Sequence, residues 1–249
     1  MEAAQIIRDA VARVSHLRQV HACDPVLAAS VQAIKTFQAR RFAGTYSDLL
    51  ESGSYRDAAR FFLDELYSDK DYADRDAQFA RIAGALQKLF PQQVVATAVS
   101  LAQLHVLTEE LDHAMAVAWR SLELDGRPAA DCPRYIAAWR SVGQRAERER
   151  QLQVVQEIGL ELARLTRLPG LRLMLKMMRR PAHAAGLASL QGFLELGFDT
   201  FADMARRRQG VDVFLSLINE REAALMTLLF DGEPVTCETQ LADTLGQAR

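Results

Sequence analysis

Glu110 and His113 stand in an E-x-x-H spacing. On a helix this puts a carboxylate and an imidazole on one face, the way helical bundles present ligands to a metal pair. A carboxylate-bridged metal pair needs the motif twice, and His16, His21, His105 and His183 each lack a glutamate three residues earlier, so a ferritin-like centre is not expected. Two readings stay open for the segment. Glu110 and His113 hold a ligand or a metal, or Glu109, Glu110 and Asp112 form a solvated helix start behind Thr108, favoured by the positive end of the helix dipole.

His105 is the second candidate. Leu101 and Leu104 put it at the edge of an apolar helix face, LAQLH is similar to the stretch around the proximal histidine of globins, and Phe61, Phe62 and Phe79 could wall a porphyrin. The alternative is a partly buried histidine that hydrogen-bonds a backbone carbonyl or an acidic side chain. The run Asp69, Asp71, Asp74 and Asp76 has the look of calcium ligands, but counting from Asp69 puts Asp74 where an EF-hand needs glycine and Ala80 where it needs glutamate. These acids therefore read as caps and as partners for Lys70, Arg75 and Arg81. No G-x-S-x-G elbow, phosphate loop or dinucleotide fingerprint occurs, and Cys23, Cys132 and Cys237 have neither zinc nor disulfide spacing. The sequence reads as a binding protein more than as an enzyme. No cofactor is predicted, haem at His105 being the alternative.

The sharpest charge feature lies further on. No acidic residue occurs between Glu161 and Glu195, while Arg164, Arg167, Arg172, Lys176, Arg179 and Arg180 all do, interleaved with Leu171, Leu173, Met174, Leu175, Met177 and Met178. The net charge of the whole chain is only -2 and its pI about 6.2, so no nucleic-acid partner is expected from the global balance. A short proline-bounded segment of this kind packs into a core more often than it anchors a membrane, and its cations then snorkel from the margins. That core reading is taken first. Contact with an anionic membrane surface or with a partner protein is the alternative.

The elements that must position these groups read as helices throughout. Ile7, Val11, Val14 and Leu17 recur at steps of three and four; Asp24-Pro25 caps a second stripe of Leu27, Val31, Ile34 and Phe37; Pro91 opens one helix and Thr108 caps the next. Asp125, Gly126 and Pro128 break the chain, and Asp131 to Leu165 could form one long helix. Pro169-Gly170 ends it, and small residues from Ala182 to Gly197 permit close helix crossing. The fold class is therefore all-α, a bundle-like globular fold of about ten or more helices, with no period-two alternation to suggest a sheet. Residues 1–124 and 131–232 are expected to form two closely packed halves of one folded unit, and 233–249 a frayed tail. With 49% hydrophobic and 25% charged residues and a mean hydropathy of -0.07, the composition is that of an ordinary globular protein. The first fourteen residues carry Glu2 and Asp9 and do not read as a secretory signal, and no apolar run is long enough to span a membrane, so a cytoplasmic protein is expected.

The stretches FFLDELYSDKDYADRDAQFARI, LFP and LAQLHVLTEELDHAMA, with a looser match through PGLRLMLKMMRRPAHAAGLASLQGFLELGF, together resemble an uncharacterised proteobacterial family of helical proteins, a domain of unknown function. The resemblance implies one all-helical family and carries no activity. Methionine-rich, arginine-rich and small-residue surfaces suit adaptable protein partners, so a protein-interaction or regulatory module is the leading functional class.

Overall fold

A computed structural model describes residues 2–51, 53–67, 70–122, 131–207 and 210–248. Among these the chain forms thirteen helices and no strand: α1 (Ala3–Ala22), α2 (Pro25–Thr45), α3 (Ser47–Glu51), α4 (Arg56–Glu65), α5 (Ala73–Leu89), α6 (Gln92–Ser121), α7 (Asp131–Val142), α8 (Arg145–Leu165), α9 (Leu171–Met177), α10 (Arg179–Ala184), α11 (Ala188–Ala205), α12 (Gly210–Asp231) and α13 (Pro234–Gln247). No helix among the described residues is long and apolar enough to cross a membrane. The expected junction at 125–131 falls almost wholly on residues 123–130, which lie outside the described residues, as does Asp69 of the acidic run.

The caps explain several boundaries. Asp24 Oδ1 accepts from the amides of Val26 and Leu27, both at 3.1 Å, ahead of Pro25. Glu233 does the same for α13, its Oε2 accepting from Val235 and Thr236 at 2.9 and 3.1 Å ahead of Pro234. Three sequence expectations are corrected here. The tail is a helix rather than frayed, because Cys237 and Leu241, one turn apart, are fully buried in a core with Leu245 packed against it. Thr108 starts no helix: α6 runs on without a break, and the Thr108 hydroxyl accepts from Gln151 Nε2 at 2.7 Å. Asp131 to Leu165 is two helices, since Gly143 (φ 62°) and Gln144 (φ 53°) both turn left-handed between α7 and α8.

Packing divides the chain into two compact units that do not follow chain order. Unit 1 comprises Met1–His16, Lys70–Leu107 and Gln153–Ser216; unit 2 comprises Leu17–Asp69, Thr108–Leu152 and Leu217–Arg249. In unit 1, Ala4, Ile7 and Ala10 of α1 bury against Ala83 and Leu86 of α5 and Ala102 of α6. Gln78 of α5 accepts from the Leu190 amide at 2.9 Å and Asp74 from the Ser189 hydroxyl at 2.7 Å, which fixes the start of α11 on α5. In unit 2, Leu27, Val31, Ile34 and Phe37 of α2 pack with Met115 and Trp119 of α6, Tyr135 and Trp139 of α7, and α13. Close approach in unit 2 is set at Gly44 of α2, where an added Cβ would sit 1.9 Å from the Thr244 carbonyl oxygen. Gly192, one of the small residues from which close crossing was expected, has nothing within 4 Å of a Cβ.

Candidate functional site

In unit 1 the cationic segment forms α9 and α10. Gly170 at φ 81° makes the left-handed turn after Pro169, and near-continuous backbone bonds, Met178 N to Met174 O and Ala182 N to Met178 O, carry one helical phase through both elements. Residues 172, 175 and 179, three and four apart, make the inner face. Arg172 Nη2 meets Asp199 Oδ1 at 2.7 Å, Gln191 Nε2 donates to the Leu175 carbonyl at 2.7 Å, and Arg179 Nε and Nη2 pair with the Glu195 carboxylate. The Arg179 guanidinium, ahead of the penalty of partial burial, holds the Glu195 carboxyl below its usual range.

Residues 173, 176, 177 and 180 make the neighbouring side, which points to solvent, with Lys176 at its margin one turn from Arg172. Leu173 is 63% and Met177 68% exposed, Lys176 and Arg180 are exposed beside them, and α9 buries no residue at all. The core reading of this segment is thereby corrected: α11 supplies three fixing contacts to one side, and Leu173, Lys176, Met177 and Arg180 are exposed among the described residues. Arg164 pairs with Glu161 at 3.0 Å, so Glu161, Glu195 and Asp199 are all engaged. Among the described residues Arg167, Lys176 and Arg180 make no salt bridge, although the Lys176 charge helps to lower the Glu195 carboxyl.

His105 also lies in unit 1. Its Nε2 is 2.9 Å from Oδ2 of Asp76, a buried carboxylate in the first turn of α5. A haem iron at this nitrogen would have to displace Asp76. Arg75 lies over the rings of Tyr72 and Phe193, 3.9 and 4.3 Å from their centroids, and Arg81 donates to the carbonyls of Ala185 and Gly186 at 3.0 and 2.6 Å. The acidic run is a capping device in part, with Asp71 accepting from the Ala73 amide at 2.9 Å.

Unit 2 holds the E-x-x-H segment within a buried polar seam. Lys35, Gln38 and Arg41, three residues apart on α2, meet Glu109 and Asp112 of α6 and Glu222 of α12. Lys35 Nζ is 2.7 Å from Glu109 Oε1, Gln38 Nε2 donates to Asp112 Oδ1 at 3.1 Å, and Arg41 Nη1 is 2.5 Å from Glu222 Oε1, which also accepts from the Tyr46 hydroxyl at 2.9 Å. Glu109 and Asp112 are buried, so the solvated-start reading is corrected: mid-helix, facing α2, they are interior groups. Burial pushes the Asp112 carboxyl up to about 6, against the pull of Lys35. Burial opposes the Arg41 charge, and Glu222 together with Tyr135, Tyr67 and Tyr46 more than restores it, so the guanidinium is held above its ordinary value. Arg148, also buried, stands 3.5 Å over the Trp139 ring, and burial lowers it.

The nitrogen that faces His113 belongs to another histidine. His21 Nε2 and His113 Nδ1 are 3.0 Å apart with their rings stacked at 5.2 Å, at the last turn of α1. Burial, then the charge of His113, lowers the His21 imidazole. Glu110 is half-buried on α6. Among the described residues no three His, Cys, Asp or Glu side chains are grouped as a metal would need. Sequence reasoning passed over His21 because it lacks a glutamate at the motif position. The signal for the seam was the polar trio at steps of three along α2, beside the apolar stripe.

A family model described as Domain of unknown function (DUF8198) matches residues 17–236, and the chain belongs to that family. No curated protein and no solved structure matches it.

Proposed function

We propose that this member of the DUF8198 family is a cytoplasmic helical protein-interaction module that engages its partner through the outer face of α9 and α10. The observation that carries the reading is a helix with no buried residue, held by ion pairs on one side and bearing Leu173 and Met177 on the other. Large apolar side chains exposed together and rimmed by charge mark interaction sites, whereas single ones scattered over a surface do not. Methionine adds a flexible, polarisable contact suited to a partner surface.

The test places a photo-crosslinking side chain at position 173 or 177 of the full chain, with Val26 and Val235, equally exposed in unit 2, as controls. A defined partner crosslinked from 173 and 177 and not from 26 or 235 is the expected result. Identical adducts from all four positions, or none from 173 and 177, would sink the reading.

A further inference from the structure

We infer that the occupant of this face is an acidic amphipathic helix of another protein, carrying carboxylates and apolar side chains in the register E-x-x-L-E-x-x-L when it lies antiparallel to α9 and α10. The inference rests on the interaction reading above and names the chemistry of the partner.

The outer face presents Leu173, Lys176, Met177 and Arg180, spaced three, one and three. At about 1.5 Å rise per residue, Lys176 and Arg180 are about 6 Å apart along the helix, and so are Leu173 and Met177. A partner helix packed alongside matches two cations at i and i+4 with two carboxylates at i and i+4. Read antiparallel, the apolar pair then falls at i+3 and i+7. Charge complementarity points the same way. The carboxylates of the neighbourhood, Glu161, Glu195 and Asp199, already hold Arg164, Arg179 and Arg172. Lys176 and Arg180 make no salt bridge among the described residues, Lys176 acting on Glu195 only through its longer-range charge, and an incoming carboxylate pairs with them without dismantling the inner face.

Two other occupants fit less well. A membrane-surface helix keeps its cations on the polar face and sinks a separate apolar stripe into the acyl region. Here the exposed apolar stripe is only Leu173 and Met177 with Met178 at its edge, a small area for a mode of binding whose strength scales with the apolar area buried. A second copy of the chain using the same face in a two-fold contact would set Lys176 and Arg180 against their own symmetry mates, which like-charge repulsion disfavours.

The probe is a labelled helical peptide with two E-x-x-L-E-x-x-L blocks in an alanine-rich background, titrated into the full chain by fluorescence anisotropy. Controls are the same peptide with lysine for glutamate and vesicles containing phosphatidylglycerol. The acidic peptide is expected to bind, to weaken as salt rises, and to lose about tenfold or more in affinity to the Lys176→Glu/Arg180→Glu protein and to Leu173→Asp. Charge reversal should be reciprocal, with the lysine peptide binding the Lys176→Glu/Arg180→Glu protein better than it binds wild type, a readout that a merely unfolded variant would not give. Equal binding of the acidic peptide to wild type and the charge-reversed protein overturns the inference. So does vesicle binding without peptide binding, which would put a membrane in place of the partner helix. A partner crosslinked from positions 173 and 177 that is indifferent to the charge reversal overturns the acidic-helix inference alone and leaves the interaction reading standing.

Discussion

Cations are used in opposite ways by the two units. In unit 2, Lys35 and Arg41 sit on the interior side of α2, each against a carboxylate supplied by the same fold. In unit 1, the cations of α9 and α10 stay at the surface, half of the segment fastened to α11 and half left facing solvent. The contrast follows from what each setting costs. A charge taken out of water must find its partner inside the fold, because leaving it alone costs several kcal/mol, whereas an exposed charge is hydrated and tolerates having none. Buried pairs therefore tie a fold together, and exposed unpaired ones are free to meet something else.

The largest break in that comparison comes from removing one member of a buried pair. Glu222→Ala strands the Arg41 guanidinium and removes the acceptor of Tyr46, and should cost about 3–5 kcal/mol in chemical denaturation. Asp199→Ala frees Arg172, whose side chain is 42% exposed, and should cost at most about 1 kcal/mol. If the two losses were equal, the distinction between the units would fail. Gly44→Ala tests the packing that surrounds the seam: its Cβ would meet backbone rather than a movable side chain, so a loss of about 3 kcal/mol is expected by the same measurement.

A smaller effect sharpens the cost of the seam through its pH dependence. The folded Asp112 carboxyl titrates at about 6, above the unfolded value of about 3.9, so the native chain binds this proton first and its contribution to stability rises as pH falls through that interval. Asp112→Asn should therefore melt about 6 °C or more above wild type at pH 7.5, an advantage that shrinks towards pH 5. His21 acts with the opposite sign. Its imidazole is lowered from 6.5, so its contribution is present above that pH and is lost as pH falls below it. In the Asp112→Asn background a loss of stability below pH 6.5 should remain, and His21→Gln should flatten it in melting curves taken between pH 7.5 and 5. The smallest stability change belongs to the surface: Lys176→Ala with Arg180→Ala should stay within about 0.5 kcal/mol of wild type, while the acidic-peptide affinity falls.

The all-helical class was legible because apolar steps of three and four recur along nearly the whole chain, and Asp24-Pro25 announced its own boundary. Glu233-Pro234 carries the same kind of signal, with Cys237, Leu241 and Leu245 one turn apart behind it, and a frayed tail after Gly232 does not follow from it. Gly143 was the missed break between α7 and α8, since a single glycine in a periodic run is as often tolerated as not. At the candidate sites, residue types were visible and their partners were not. The run without acids from 162 to 194 stood out, yet only the packed structure reveals that Glu195 and Asp199 reach back to hold its inner face. Likewise, the acids around Glu110 looked solvated because periodicity does not say which helix a polar residue faces, and their partners, Lys35 and Gln38, lie 74 residues earlier on α2.

The seat of α13 has a consequence for the order in which the molecule can be built. The core of unit 2 takes Leu27 to Phe37 from near the start of the chain and Cys237 and Leu241 from beyond residue 230. During synthesis at about 5–20 residues per second, α2 therefore waits beside the ribosome with an apolar stripe and a buried-to-be Arg41 exposed until Glu222 and then α13 have emerged. Unit 2 closes last.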